Sequence, residues 1–231
     1  MPYRRLPNTD LSRIKALRTA IEKASSINFQ EIAISMKTLS SAKSVVDKFE
    51  RLYNKHQLTF DTQVKANIAF QSKVKSARMY ISHFIQVLYM SVARSEIKLE
   101  HLELYDLQDS NLIVPDLNSN EQLLQWGEKI INGENKRVAQ GGVPIYNPSI
   151  AKVNVMYALF KENYHTQQIH QKATARTLNE VSEFRNEVDS IIFDIWEEVE
   201  KFNAELPANE RLDKNREYGL IYYYRKGETI E

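Results

Sequence analysis

Apolar residues at Leu11, Ile14, Leu17, Ile21 and Ala24 recur three and four positions apart, which lines them on one face of a helix over about residues 10–25. Asn8, Thr9 and Asp10 supply N-cap side chains ahead of it, and Ser25-Ser26 interrupts the pattern. Asn28 with Glu31 has the form of a capping box, after which Ile32, Met36, Leu39, Val46, Phe49 and Tyr53 predict a second helix over 29–56. His56 to Phe60 then reads as a tight connection. A third helix, 61–97, carries Val64, Ile68, Val74, Ile81, Phe84, Ile85, Leu88 and Val92, and from Tyr80 onward apolar side chains spread around most of its circumference. That distribution predicts a central helix covered by several neighbours.

Beyond it the helical period is lost. Residues 98–118 gain turn formers and β-branched residues, as in a loop or short strand. Asn118 with Glu121 predicts the cap of a fourth helix, 119–138, bearing Leu123, Leu124, Trp126, Ile130 and Ile131. Gln140-Gly141-Gly142-Val143-Pro144 turns the chain, and Asn147-Pro148 opens a fifth helix running to about 205, where Pro207 ends it. Within that helix Val181, Val188, Ile195 and Phe202 sit seven apart, a coiled-coil-like seam. The polar stretch His165 to Thr177 leaves open whether the helix is continuous. Tyr218 to Arg225 is β-prone, predicting a strand over 219–225 that needs a partner, for which the 102–114 segment is the expected source.

The pattern therefore predicts an all-α fold: an elongated up-and-down bundle of four to five long helices with one short C-terminal strand. Composition agrees. Six Gly and six Pro in 231 residues are too few for the turns of a many-stranded β protein, and no linker-like stretch divides the chain, so one domain over 1–231 is expected. The most apolar stretch, Met79 to Ala93, contains Ser82, His83 and Gln86 and falls short of the ~20 residues that a membrane-spanning helix needs. The basic N-terminus has no apolar run behind it, which makes cytoplasm the expected compartment.

Charge changes the picture more than composition does. Residues 1–95 carry 16 Lys/Arg against 6 Asp/Glu, while residues 96–231 carry 15 against 24, so a net charge of +1 conceals a basic half and an acidic half. Intramolecular pairing is the favoured use of that asymmetry, because Glu180 to Glu205 carries nine acids. The alternative is phosphate binding by Arg4, Arg5, Arg13, Lys15 and Arg18 with Lys65 and Lys73, joined by Lys75 and Arg78. At the other end Tyr222, Tyr224 and Arg225 could form a docking edge or a base-stacking strip, with Tyr223 on the opposite side.

Candidate chemistries fall one by one. With no cysteine there is no thiol nucleophile, disulfide or thiolate metal site. Glu162-x-x-His165 offers half of a di-iron pattern, but no second copy exists and the third helix has no acid between Asp61 and Glu96, so an exposed helix face is the better reading. No nucleophile elbow, Walker loop or dinucleotide fingerprint is present. Gly141-Gly142 ahead of a helix start could offer N–H groups to an anion, but a plain inter-helix turn is the favoured reading. No cofactor is implied.

The opening Pro2-Tyr3-Arg4-Arg5-Leu6-Pro7-Asn8-Thr9-Asp10 and the closing Glu217-Tyr218-Gly219-Leu220-Ile221-Tyr222-Tyr223-Tyr224-Arg225-Lys226 resemble the two ends of a family of uncharacterised bacterial helical-bundle proteins. The resemblance is confined to the ends and implies fold and bacterial origin, with no catalytic residue to carry over. The expectation is a non-enzymatic interaction or scaffolding bundle, with a protein partner or self-association through 178–202. A nucleic-acid-associated protein and a small-molecule binder with a site between helices are the alternatives.

Overall fold

The structure, a computed structural model, describes residues 3–28 and 31–225. It is all-α apart from one two-stranded ribbon: β1 (Tyr3–Arg4), α1 (Asp10–Ser26), α2 (Met36–Ala93), a 3₁₀ segment (Leu99–Tyr105), α3 (Asn120–Ala139), α4 (Ile150–Phe202), α5 (Ala208–Glu217) and β2 (Tyr222–Tyr223). No helix among the described residues is long and apolar enough to cross a membrane.

Two compact units divide the chain, one formed by residues up to Phe60 together with those from Thr174 onward, the other by Asp61–Ala173. In unit 1, α1 presents Leu17, Ala20 and Ile21 to a core shared with Val46 and Phe49 of α2 and Val188, Ile195 and Trp196 of α4. Oriented ion pairs surround that core. Arg13 donates to both oxygens of Asp189 (2.7 and 2.9 Å), and Arg185 returns the arrangement to Asp10 (2.8 Å to each oxygen). Arg18 clamps Glu50 (2.8 and 2.6 Å) and reaches Asp47 at 3.0 Å. Thr9 caps α1, its hydroxyl accepting from the Ser12 N–H.

Unit 2 packs Phe70, Ile81, Phe84 and Leu88 of α2 against Leu102 and Tyr105, against Leu123 and Ile130 of α3, and against Tyr157 and Phe160 of α4. The acid-free run thus supplies the core helix that its apolar spread predicts. Gly133 sets how closely α3 meets the 3₁₀ segment, since a Cβ there would stand 2.5 Å from the Tyr105 ring and 2.7 Å from the Leu104 carbonyl. Beneath that contact Glu134 and Arg137 form a buried ion pair (2.9 and 3.0 Å), closed by the Tyr105 hydroxyl, which donates to Glu134 and accepts from Arg137 Nε at 2.8 Å. The Ile145 N–H and the Val143 carbonyl complete the set at 3.0 and 2.8 Å.

Several expectations are corrected. The second and third helices are one, because α2 passes through 56–60 without interruption. Where this stretch meets α4 the contacts are polar: Thr59 and His56 both bond Thr177 (2.8 and 3.2 Å), and Thr174 donates to the Thr59 carbonyl at 3.2 Å. Residues 29 and 30, at the expected start of the second helix, lie outside the described residues, and the helix starts instead at Met36 after Ser35, whose hydroxyl accepts from the Thr38 N–H. Ser119 with Gln122, rather than Asn118 with Glu121, forms the capping box of α3. α4 is unbroken through His165–Thr177. The C-terminal strand does not pair with 102–114, which holds the 3₁₀ segment; it pairs antiparallel with β1, Tyr3 opposite Tyr223 and Arg4 opposite Tyr222. The heptad seam is covered as well: Val181, Val188 and Ile195 belong to the unit 1 core, and of the four only Phe202 is exposed.

Candidate functional site

The features singled out at the two ends of the sequence meet in unit 1. Arg5 extends the ribbon by donating its N–H to the Ile221 carbonyl at 2.8 Å. What brings β2 to this place is α5, a helix that the hydrophobic pattern does not reveal. Its buried residues are only Leu212 and Asn215, too few for an apolar stripe. Its ends are nevertheless marked in sequence, by Pro207 and Glu210 at the start and by Lys214 and Arg216 in the last turn. Gly219 follows at φ +86°, a left-handed conformation that favours glycine, and turns the chain from α5 into β2.

A groove of about 780 Å³ runs between β1, β2, α5 and the last turns of α4. Its polar wall is a continuous chain of hydrogen bonds. The Tyr222 hydroxyl donates to Glu200 at 2.6 Å and accepts from Asn215 Nδ2 at 2.9 Å, and the Asn215 oxygen accepts from Asn203 at 2.9 Å. Arg4 Nε lies 3.4 Å from the other oxygen of Glu200, its guanidinium is 5.3 Å from the Phe193 ring centre, and its Nη1 is buried without an acceptor among the described residues. Burial first, and then the bond to Glu200, push the Tyr222 phenol well above its usual value, so at neutral pH it remains a donor. The arrangement is a rigid strut that holds β2 against α4 and α5.

The other side of the ribbon carries aromatic and cationic surface. Tyr3 and Tyr223 are 37% and 43% exposed, with ring centres 5.7 Å apart. Arg225 lies over the Tyr3 ring at 4.3 Å, and Leu6 and Ile221 are exposed nearby in sequence. The Tyr222/Tyr223 alternation expected from sequence is thus present, Tyr222 turned into the polar wall and Tyr223 outward. Tyr224 is half-buried.

The remaining candidates do not join this place. Arg13 and Arg18 are engaged in ion pairs within unit 1, whereas Lys15 is exposed on α1 and makes no ion pair among the described residues. Lys65 and Lys73 belong to unit 2, where Lys65 is exposed and Lys73 half-buried. Gly141 and Gly142 do not present N–H groups to an anion, since both donate to carbonyls of α3, those of Val138 and Arg137. Sequence reading missed Phe193, Glu200, Asn203 and Asn215, because a polar residue on a helix carries no mark of the partner it meets from a distant strand. Comparison with protein-family models, with curated proteins and with solved structures finds no match.

Proposed function

We propose that this chain is a non-enzymatic interaction bundle that docks a protein partner on the β1–β2 face of unit 1. The observation that carries the reading is the exposed pair Tyr3 and Tyr223 with Arg225 stacked on it, fixed in place by the Tyr222–Glu200 strut behind. Tyr and Arg are the residues that dominate protein interfaces, because they bury a large area at small loss of side-chain freedom. A rigid backing lowers the ordering cost of association further. The two stretches that resemble the bacterial family contribute β1 and β2 respectively, so we place the likeness in this face, and we keep the cytoplasm as the compartment.

Nucleic-acid association is the weaker reading, since Arg13 and Arg18 already hold carboxylates at hydrogen-bond distance. The test is affinity capture from bacterial cells with the intact chain and with a Tyr3→Ala, Tyr223→Ala double variant of matched thermal stability. A partner whose binding weakens about a hundredfold in the variant is expected, in keeping with two interfacial aromatic anchors. Capture that is identical for both proteins removes the proposal.

A further inference from the structure

Unit 2 holds a second cavity, of about 700 Å³, between the end of α2, residues 94–101 and the turn that follows α3. Its volume falls within the range of small-molecule sites. On its wall Arg94 is paired with Glu96 and Arg137 with the buried Glu134, so Lys98 is the basic residue left for an anion, with His101 as a further hydrogen-bonding group. Arg94 closes on Glu96 (2.7 and 2.9 Å), which leaves Lys98 and His101 without an ion pair among the described residues.

Arg137 is the informative member. It is 3% exposed, and its guanidinium is held on two sides, Nε by Tyr105 and Glu134 and Nη2 by Glu134 and the Val143 carbonyl. Arg137 lines the cavity, and its Nη1 is not among the nitrogens that these bonds hold. A guanidinium locked by its other nitrogens presents Nη1 in a fixed direction, as a charge-assisted donor on the cavity wall. Gly142 leaves the room beside it, since a Cβ there would stand 2.8 Å from that nitrogen. On the same wall Tyr146 is 80% exposed and offers an aromatic face.

We propose that this cavity binds a small organic oxyanion, a carboxylate or a phosphate ester, with its charged oxygens on Arg137 Nη1, Lys98 and His101 and its carbon skeleton against Tyr146. The recognition is by side chains, in contrast to the backbone donors that the Gly-Gly sequence suggests. It is independent of the partner face, all of its residues belonging to unit 2.

The test is a titration of the full chain with inorganic phosphate and, separately, with citrate, followed by amide shifts and by calorimetry. Saturable shifts confined to 94–101 and 137–147 are expected at millimolar or lower concentration. Lys98 is exposed, so Lys98→Glu is expected to keep the melting temperature while weakening binding about tenfold or more, as when an attractive contact becomes repulsive. Gly142→Ala, which places a methyl 2.8 Å from Nη1 and 2.9 Å from the Arg137 carbonyl, is expected to weaken binding without altering charge, with a lowered melting temperature. Saturation by phosphate alone assigns a phosphate ester, by citrate alone a carboxylate, and by both a shared oxyanion site. No saturable shift with either probe, or shifts indifferent to both variants, overturns the proposal.

Discussion

Gly133 illustrates how a single position carries consequences that its neighbours in sequence do not announce. Alanine in a helix interior is ordinarily favourable over glycine by about 1 kcal/mol. Here the added methyl would stand 2.7 Å from a backbone oxygen, which cannot swing aside, and 2.5 Å from the Tyr105 ring, which holds Glu134 and Arg137 together. Gly133→Ala is therefore expected to destabilise by about 1–3 kcal/mol, as overpacking does, with the sign opposite to helix propensity. Urea unfolding measures it, and an unchanged or raised midpoint contradicts the close approach. In the sequence Gly133 is a lone glycine within the expected helix 119–138, with nothing to mark a close approach. Tyr105, Glu134 and Arg137 carry no signal at all there, because an i,i+3 Glu–Arg pair on an amphipathic helix looks the same whether it faces water or core. The candidate site is legible to a similar degree: Arg4 and Tyr222 stand out as basic and aromatic residues, but their common partner Glu200 does not.

At the scale of elements, most helices are readable because apolar positions recur with their period, and α1, α3 and α4 lie within a few residues of the expected bounds. The division of α2 into two expected helices has an identifiable cause. His56 to Phe60 breaks the apolar stripe without breaking the helix, since Thr59, Thr174 and Thr177 substitute hydrogen bonds for apolar contact at that level. Such polar layers favour one register of paired helices over its neighbours. A proline distinguishes a helix from the tight connection that sequence suggests. Gln57→Pro is expected to destabilise by about 3 kcal/mol or more by removing a hydrogen bond and clashing with the preceding turn. A proline accepted there with an unchanged melting temperature contradicts an uninterrupted α2. The mispairing of β2 has a different origin. Strand propensity says that Tyr222 wants a neighbour, not which one, and β1 is too short to register as a strand.

At the scale of the whole molecule part of the charge asymmetry is met by ion pairs between the basic and acidic halves, Arg13 with Asp189, Lys23 with Glu217 and Lys55 with Glu180. Arg18 holds Glu50 below the usual carboxylate range through its hydrogen bonds, and Lys23 and Lys55 do the same for Glu217 and Glu180. A carboxyl whose value is lower in the folded than in the unfolded chain contributes stability above the unfolded value, about 4.3 for Glu, and loses it as pH falls through the folded one. The melting temperature is thus expected to fall as pH drops below about 4.3. Glu50→Gln is expected to lie lower at neutral pH, by about 1 kcal/mol or less for a partly exposed pair, and to fall less steeply in acid. Parallel pH profiles for the two proteins contradict the assignment. The halves of opposite charge are legible in sequence, whereas which arginine meets which acid depends on helix rotation, which only packing fixes.

The ribbon that joins Tyr3 to Tyr223 closes a loop of more than two hundred residues. Contacts so distant along the chain carry the largest closure entropy and depend on everything between them being in place. The ribbon face does not exist on a ribosome-bound chain before Tyr223 has emerged, nor on a molecule whose two strands have parted. On the docking reading proposed above, a partner binds only molecules in which Tyr3 and Tyr223 have already come together, so its binding reports tertiary closure.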